Sequence, residues 1–137
     1  MSLEIVHVDH PRRYPPRLTD FTQRFWESIA RGTFETTVCG DCRKASFPPK
    51  MFCPHCWSTK IGWSELSGGG RLYAQTMIHA APAVFREDVP YRVGIVDLDE
   101  GLRIATRILS DGTPALDSPA RIVTLRHTDG PLFAAKM

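Results

Sequence analysis

Cys39-Gly40-Asp41-Cys42 and Cys53-Pro54-His55-Cys56, ten residues apart, contain all four cysteines of the 137-residue chain. Two CxxC pairs across a short loop are the ligand pattern of a small tetrahedral metal site, because each pair can turn tightly enough to aim two thiolates at one ion. Zinc accepts four thiolates without redox chemistry, so an all-cysteine set predicts structural Zn2+ in a closed site. Four thiolates also bind iron in rubredoxin-like sites, but that use needs an electron-transfer partner that nothing in the sequence suggests. Two disulfides are disfavoured, since no secretory signal opens the chain. His55 lies inside the second pair and, with four cysteines present, reads as a knuckle residue rather than a replacement ligand.

The composition is that of a globular chain, 42% hydrophobic and 23% charged. No apolar run approaches the length of a membrane span, and the expected location is the cytoplasm. Residues 1–62 carry nine Lys/Arg against six Asp/Glu, and residues 63–137 carry eight against nine. The second half is therefore not a basic surface, which weighs against nucleic-acid binding through it.

Ahead of the cysteines, residues 1–18 hold Pro11, Pro15 and Pro16 among Arg12, Arg13 and Arg17. Such a segment stays extended and builds no core alone; it is either a loose arm or one that docks on a partner. A helix follows, with Asp20 as its cap, Gln23 in the capping-box position and Gly32 at its stop. Phe21, Phe25 and Ile29 recur every four residues, and Trp26 widens the stripe. A small metal knot offers little surface to bury such a stripe, so Phe21, Phe25 and Trp26 are candidates for docking on another chain, with intramolecular packing as the alternative. Phe34 to Val38 reads as a strand leading into the first knuckle, and Ile61-Gly62-Trp63 closes the ribbon.

The remainder is β. Ser67-Gly68-Gly69-Gly70 is a turn or bulge and not a phosphate loop, because no Lys-Ser/Thr follows it. Leu72, Ala74, Thr76 and Ile78 alternate onto one face of the next strand. Tyr91 to Leu98 is apolar on both faces and hence central, and Asp99-Glu100-Gly101 is a hairpin turn. Leu102, Ile104 and Ile108 face away from Arg103 and Arg107; two further strands run from Arg121 to His127 and from Pro131 to Lys136. About five strands at this length predict a closed barrel of the OB type rather than a sandwich. The expected fold is mainly β: an extended arm (1–18), an N-terminal helix and lead-in strand (19–37), a rubredoxin-like zinc ribbon (38–63) and a C-terminal OB-fold five-stranded barrel (64–137).

In order and spacing, the Phe25-Trp26 helix ending at Gly32, the two CxxC pairs, Phe47-Pro48-Pro49, Trp63, Ser67-Gly68-x-Gly70, His79-x-x-Pro82, Pro90-Tyr91 and Leu98-Asp99-Glu100-Gly101 carry a resemblance. The chain resembles the zinc-ribbon and OB-fold proteins long catalogued as a domain of unknown function, the thirty-five type, and associated with acyl-CoA enzymes. The resemblance implies a non-catalytic partner subunit of a thiolase-like protein (a thiolase, aldolase, ketoacyl synthase or acyltransferase) and a role in holding coenzyme A or acyl-CoA. Coenzyme A phosphates want arginine or lysine, and its pantetheine wants an apolar groove. Arg71, Arg103 and Arg107 could meet on one sheet face, with Phe47, Lys50 and Phe85 as a lip; the alternative is a solvated arginine face. The residues add no credible catalytic set: the cysteines are spent on metal and His7, His10, His79 and His127 are scattered. The competing readings are a nucleic-acid-binding ribbon and OB module, and a stand-alone enzyme.

Overall fold

The computed structural model describes residues 2–137. In chain order its elements are β1 Ile5–His7, α1 Gln23–Ala30, β2 Glu35–Cys39, β3 Ala45–Ser46, β4 Ile61–Glu65, β5 Gly69–Ile78, a single 3-10 turn Ala83–Phe85, β6 Tyr91–Leu98, β7 Arg103–Leu109, β8 Pro119–His127 and β9 Gly130–Lys136. Strands β3-β2-β4 form the ribbon sheet. Strands β5-β6-β7-β9-β8 run side by side, and β8 pairs back onto β5, closing a five-stranded barrel with β1 added parallel to β8. Cross-strand partners share a face, so the register defines the interior: Leu72 opposite Val96, Val96 opposite Ile104, Ile108 opposite Ala135, and Ala135 opposite Ile122. All six are buried. Gly94 leaves room for them, since a Cβ there would stand 2.9 Å from Ile108 Cγ1 and 2.6 Å from the Ala74 carbonyl oxygen.

The alternation expected for β5 does not run through. A bulge between Leu72 and Ala74 shifts the register, and an extra residue reverses the phase of everything beyond it. Leu72 therefore points inward, while Ala74, Thr76 and Ile78 share the opposite face with Ile95, Val93 and Tyr91.

The helix begins later than its sequence suggests. Asp20 does not cap it; the N-cap is Thr22, and the turn ahead of the helix is braced by Thr19 and Thr22, each hydroxyl accepting the other's backbone N–H at 2.9 and 3.1 Å. Gly32, at φ +79°, ends it as expected, its N–H donating to Ile29 O while Thr33 N–H donates to Ser28 O. The barrel adds two more donors to the last turn: Thr124 Oγ1 donates to Ile29 O at 2.7 Å and Arg126 Nη2 to Ala30 O at 2.9 Å.

The helix thus closes the barrel against β8 and β9. Phe25, 4% exposed, meets Phe34, Phe47 and Phe133 edge-on at 5.7–6.3 Å. Phe25 leaves the docking set for this reason: the end of the barrel supplies the surface that the metal knot lacks. Phe47 likewise packs here. The N-terminal arm also stays on its own barrel, through β1, the Arg12–Asp129 pair and the Arg13–Asp88 pair.

Glu35 ties helix to ribbon, accepting from Arg24 Nε at 3.0 Å and Ser28 Oγ at 2.7 Å. Chiefly through Arg24, its carboxyl is held below the ordinary value of 4.5. A depressed folded-state pKa gives stability that is present above that value and lost as pH falls through the folded one. In urea unfolding, the gap between wild type and Glu35→Gln should close as pH drops below 4.5. Phe25→Ala should lose about 3–5 kcal/mol at neutral pH in the same assay; a loss under about 1 kcal/mol, as expected for a surface site, would remove Phe25 from the core.

Candidate metal centre and barrel face

The two knuckles repeat one geometry. Cys39 N–H donates to Lys44 O and Arg43 N–H to Cys39 O; fourteen residues on, Cys53 N–H donates to Ser58 O and Trp57 N–H to Cys53 O. Arg43 and Trp57 both sit at φ 65°, the left-handed turn that brings each chain back. Inside the turns, Asp41 and Cys42 N–H donate to Cys39 Sγ at 3.3 and 3.4 Å, and His55 N–H to Cys53 Sγ at 3.3 Å. His55 serves through its backbone, and its side chain is exposed.

All four Sγ atoms lie within 4.8 Å of one another, with Cys39–Cys56 and Cys42–Cys53 at 3.5 Å. A disulfide needs about 2.05 Å, whereas tetrahedral Zn–S bonds of about 2.3 Å place sulfurs about 3.8 Å apart. The donors fit zinc. The backbone N–H of Cys42, aided by that of Asp41, draws the Cys39 thiol down to about 6. At Cys56 the Ser58 N–H acts the same way, but the neighbouring sulfurs, Cys39 foremost, and burial outweigh it and push that thiol up to about 12. Four sulfurs this close cannot all ionise without a cation between them. The site is a rubredoxin-like ribbon centre for structural zinc. At its tip Phe52 stacks on Trp57 at 5.4 Å, and Met51, Phe52 and Trp57 are 68%, 42% and 73% exposed.

On the barrel's outer face Arg71, Asp97 and Arg103 stand in one row. Arg103 pairs with Asp97 at 2.6 Å and lies 3.7 Å above the Tyr73 ring. Arg71 donates to Asp117 O at 2.8 Å. Arg107 pairs with Asp88 at 3.3 Å, stacks 4.0 Å above Tyr91, and has Phe85 at 5.9 Å. Between them runs a groove of about 650 Å³ lined by Ala74, Thr76, Val93, Ile95 and Ala105.

Residues 26–62 match the family described as ChsH2, rubredoxin-like zinc ribbon domain, and residues 63–125 the family described as ChsH2, C-terminal OB-fold domain. A DUF35 domain-containing scaffold protein of Methanothermobacter thermautotrophicus is 32% identical over 90 residues, 64% of this chain and 68% of that protein. The chain belongs to the DUF35 family. A DUF35 scaffold protein of Methanocaldococcus jannaschii is 36% identical over 72 residues, 52% of this chain and 51% of that protein. The benzoylsuccinyl-CoA thiolase subunit BbsA of Thauera aromatica is 33% identical over 76 residues, 56% of this chain and 50% of that protein. The chain spans about half the length of these last two relatives. The solved structure described as Ltp2-ChsH2(DUF35) aldolase superposes with TM-score 0.77 at 24% identity, covering 89% of this chain and 98% of that chain. This is a likeness of fold.

Within this DUF35 chain, the residues expected to hold coenzyme A separate. Arg71, Arg103, Arg107 and Phe85 share the outer barrel face. Phe47 is in the aromatic core, and Lys50 lies on the ribbon, its N–H donating to Thr37 Oγ1 at 2.9 Å. Phe21, just ahead of α1, and Trp26, within it, remain partly exposed, with Phe21 5.6 Å from Trp63 and Trp26 6.1 Å from Phe133. The sequence reading missed Tyr73 and Tyr91 beneath the arginines: the bulge hides which face Tyr73 occupies, and Tyr91 opens a strand that is apolar on both faces. It also missed Trp57, whose position after the last cysteine was the available signal.

Metal analysis of Cys42→Ser should find zinc lost, with ribbon amides losing exchange protection, because binding energy there is folding energy. Undiminished zinc would refute the site. Arg43→Gly, which relieves the left-handed φ, should retain zinc with no loss of stability.

Proposed function

We propose that this chain is a non-catalytic accessory subunit of a thiolase-like enzyme that acts on acyl-CoA substrates. The observation that carries this reading is the 33% identity to BbsA, a protein named as a subunit of an acyl-CoA thiolase. The two relatives named scaffold proteins support a structural rather than a chemical role. The likeness of fold to a DUF35 chain described with an aldolase points the same way.

Two surfaces suit docking. The ribbon tip presents the stacked Phe52–Trp57 pair and Met51, aromatic and Met side chains of the kind enriched at interface cores. Phe21 and Trp26 border the second, beside α1. Direct contact with coenzyme A belongs to the outer barrel face, with phosphates at Arg71, Arg103 and Arg107 and pantetheine along the groove beside Phe85. Residues 63–137 carry eight Lys/Arg against nine Asp/Glu, which disfavours a nucleic-acid track.

Co-expression with the thiolase-superfamily proteins encoded nearby tests the proposal. A stoichiometric complex on size-exclusion chromatography is expected. Exchange of Phe52 and Trp57 for serine should weaken it about tenfold or more with zinc content unchanged. Failure to associate with any of these proteins would contradict the accessory role.

A further inference from the structure

A second hollow, which shares Phe85 and Arg107 with the groove, lies under the N-terminal arm. It encloses about 360 Å³ between Val6 and Val8 of the arm and Leu109, Leu125 and Leu132 of the barrel wall. That size falls in the range of small-molecule sites, roughly 300–1,000 Å³. Arg107 lines both this cavity and the open groove. Among the described residues its guanidinium makes one hydrogen bond, from Nη1 to Asp88 Oδ2 at 3.3 Å. A guanidinium offers five N–H donors in a fork suited to a carboxylate, so four remain for an incoming anion.

The other charged and titratable groups at the cavity fit the same chemistry. Arg13 approaches from the arm and shares Asp88 with Arg107, so two guanidinia face one partly buried carboxylate. Glu87, the second partner of Arg13, is 77% exposed and screened by water. His127 Nδ1 lies 3.1 Å from the His10 carbonyl and must donate to it, since a carbonyl only accepts. Burial holds His127 below its ordinary pKa of 6.5. His10 and Tyr14 complete the rim.

We propose that this cavity binds a small apolar carboxylic acid, its chain on the Val8, Leu109, Leu125 and Leu132 wall and its carboxylate on the free edge of Arg107. Occupancy is independent of any thiolase-like partner, so the two proposals fail separately.

Calorimetry of the zinc-loaded full chain with decanoate, kept below its micelle concentration, tests the assignment, with decanol and free coenzyme A as comparison ligands. Saturable 1:1 binding of decanoate is expected. Arg107→Gln should weaken decanoate about tenfold while leaving decanol unchanged, and Val8→Trp, which fills the cavity from the arm, should abolish both. Methyl NMR supplies an independent readout: shifts on adding decanoate should centre on Val8, Leu109, Leu125 and Leu132. Shifts centred on Val93 and Ile95 would place the ligand in the open groove and overturn the assignment. So would the absence of saturable decanoate binding, binding undiminished by Val8→Trp, or an Arg107→Gln variant with wild-type decanoate affinity.

Discussion

Ring packing of Phe25, Phe34, Phe47 and Phe133 is the contact on which the rest of the molecule depends. The four rings come from the helix, the lead-in to the ribbon, the loop between the knuckles and the last barrel strand, and every pair meets at 5.7–6.3 Å. A zinc ribbon alone buries little apolar surface, and a small barrel has an open end. The cluster answers both needs, because the ribbon and helix contribute the side chains that fill the end of the barrel. Zinc fixes the far end of the ribbon, and the aromatic cluster fixes the near end to the barrel.

This arrangement divides the surface. Residues that the core consumes, Phe25 and Phe47 above all, are unavailable to partners. What stays outside is chemically distinct: an aromatic ribbon tip, and a barrel face where arginines lie over tyrosines above an apolar groove. Arg103 and Arg107, stacked and paired in this way, are held in place on that face. Among the described residues, no helix is long and apolar enough to cross a membrane.

The metal ligands were legible in the sequence because CxxC spacing is a local property. So were the helix stop at Gly32, the hairpin at Gly101 and the barrel class. The failures arose where the answer depends on distant contacts. Asp20 has the right chemistry for a cap, but Thr19 and Thr22 satisfy each other's N–H groups instead. The bulge in β5 leaves no mark on the alternation of Leu72, Ala74, Thr76 and Ile78, yet it moves three of them to the opposite face. The stripe of Phe25 looked surplus only because the barrel end that buries it lies about a hundred residues further along the chain. The proline-rich arm looked unattached for the same reason, since its partners β8, Asp88 and Asp129 are all distant in sequence.

The most direct test of the accessory role is acyl-CoA turnover by the partner thiolase-like enzyme, measured alone, with this chain added, and with this chain by itself. The account predicts no turnover by the chain alone and a partner activity that rises, or first emerges, on adding it at stoichiometric amount. Turnover by the isolated chain, or a partner indifferent to its presence, would contradict the account.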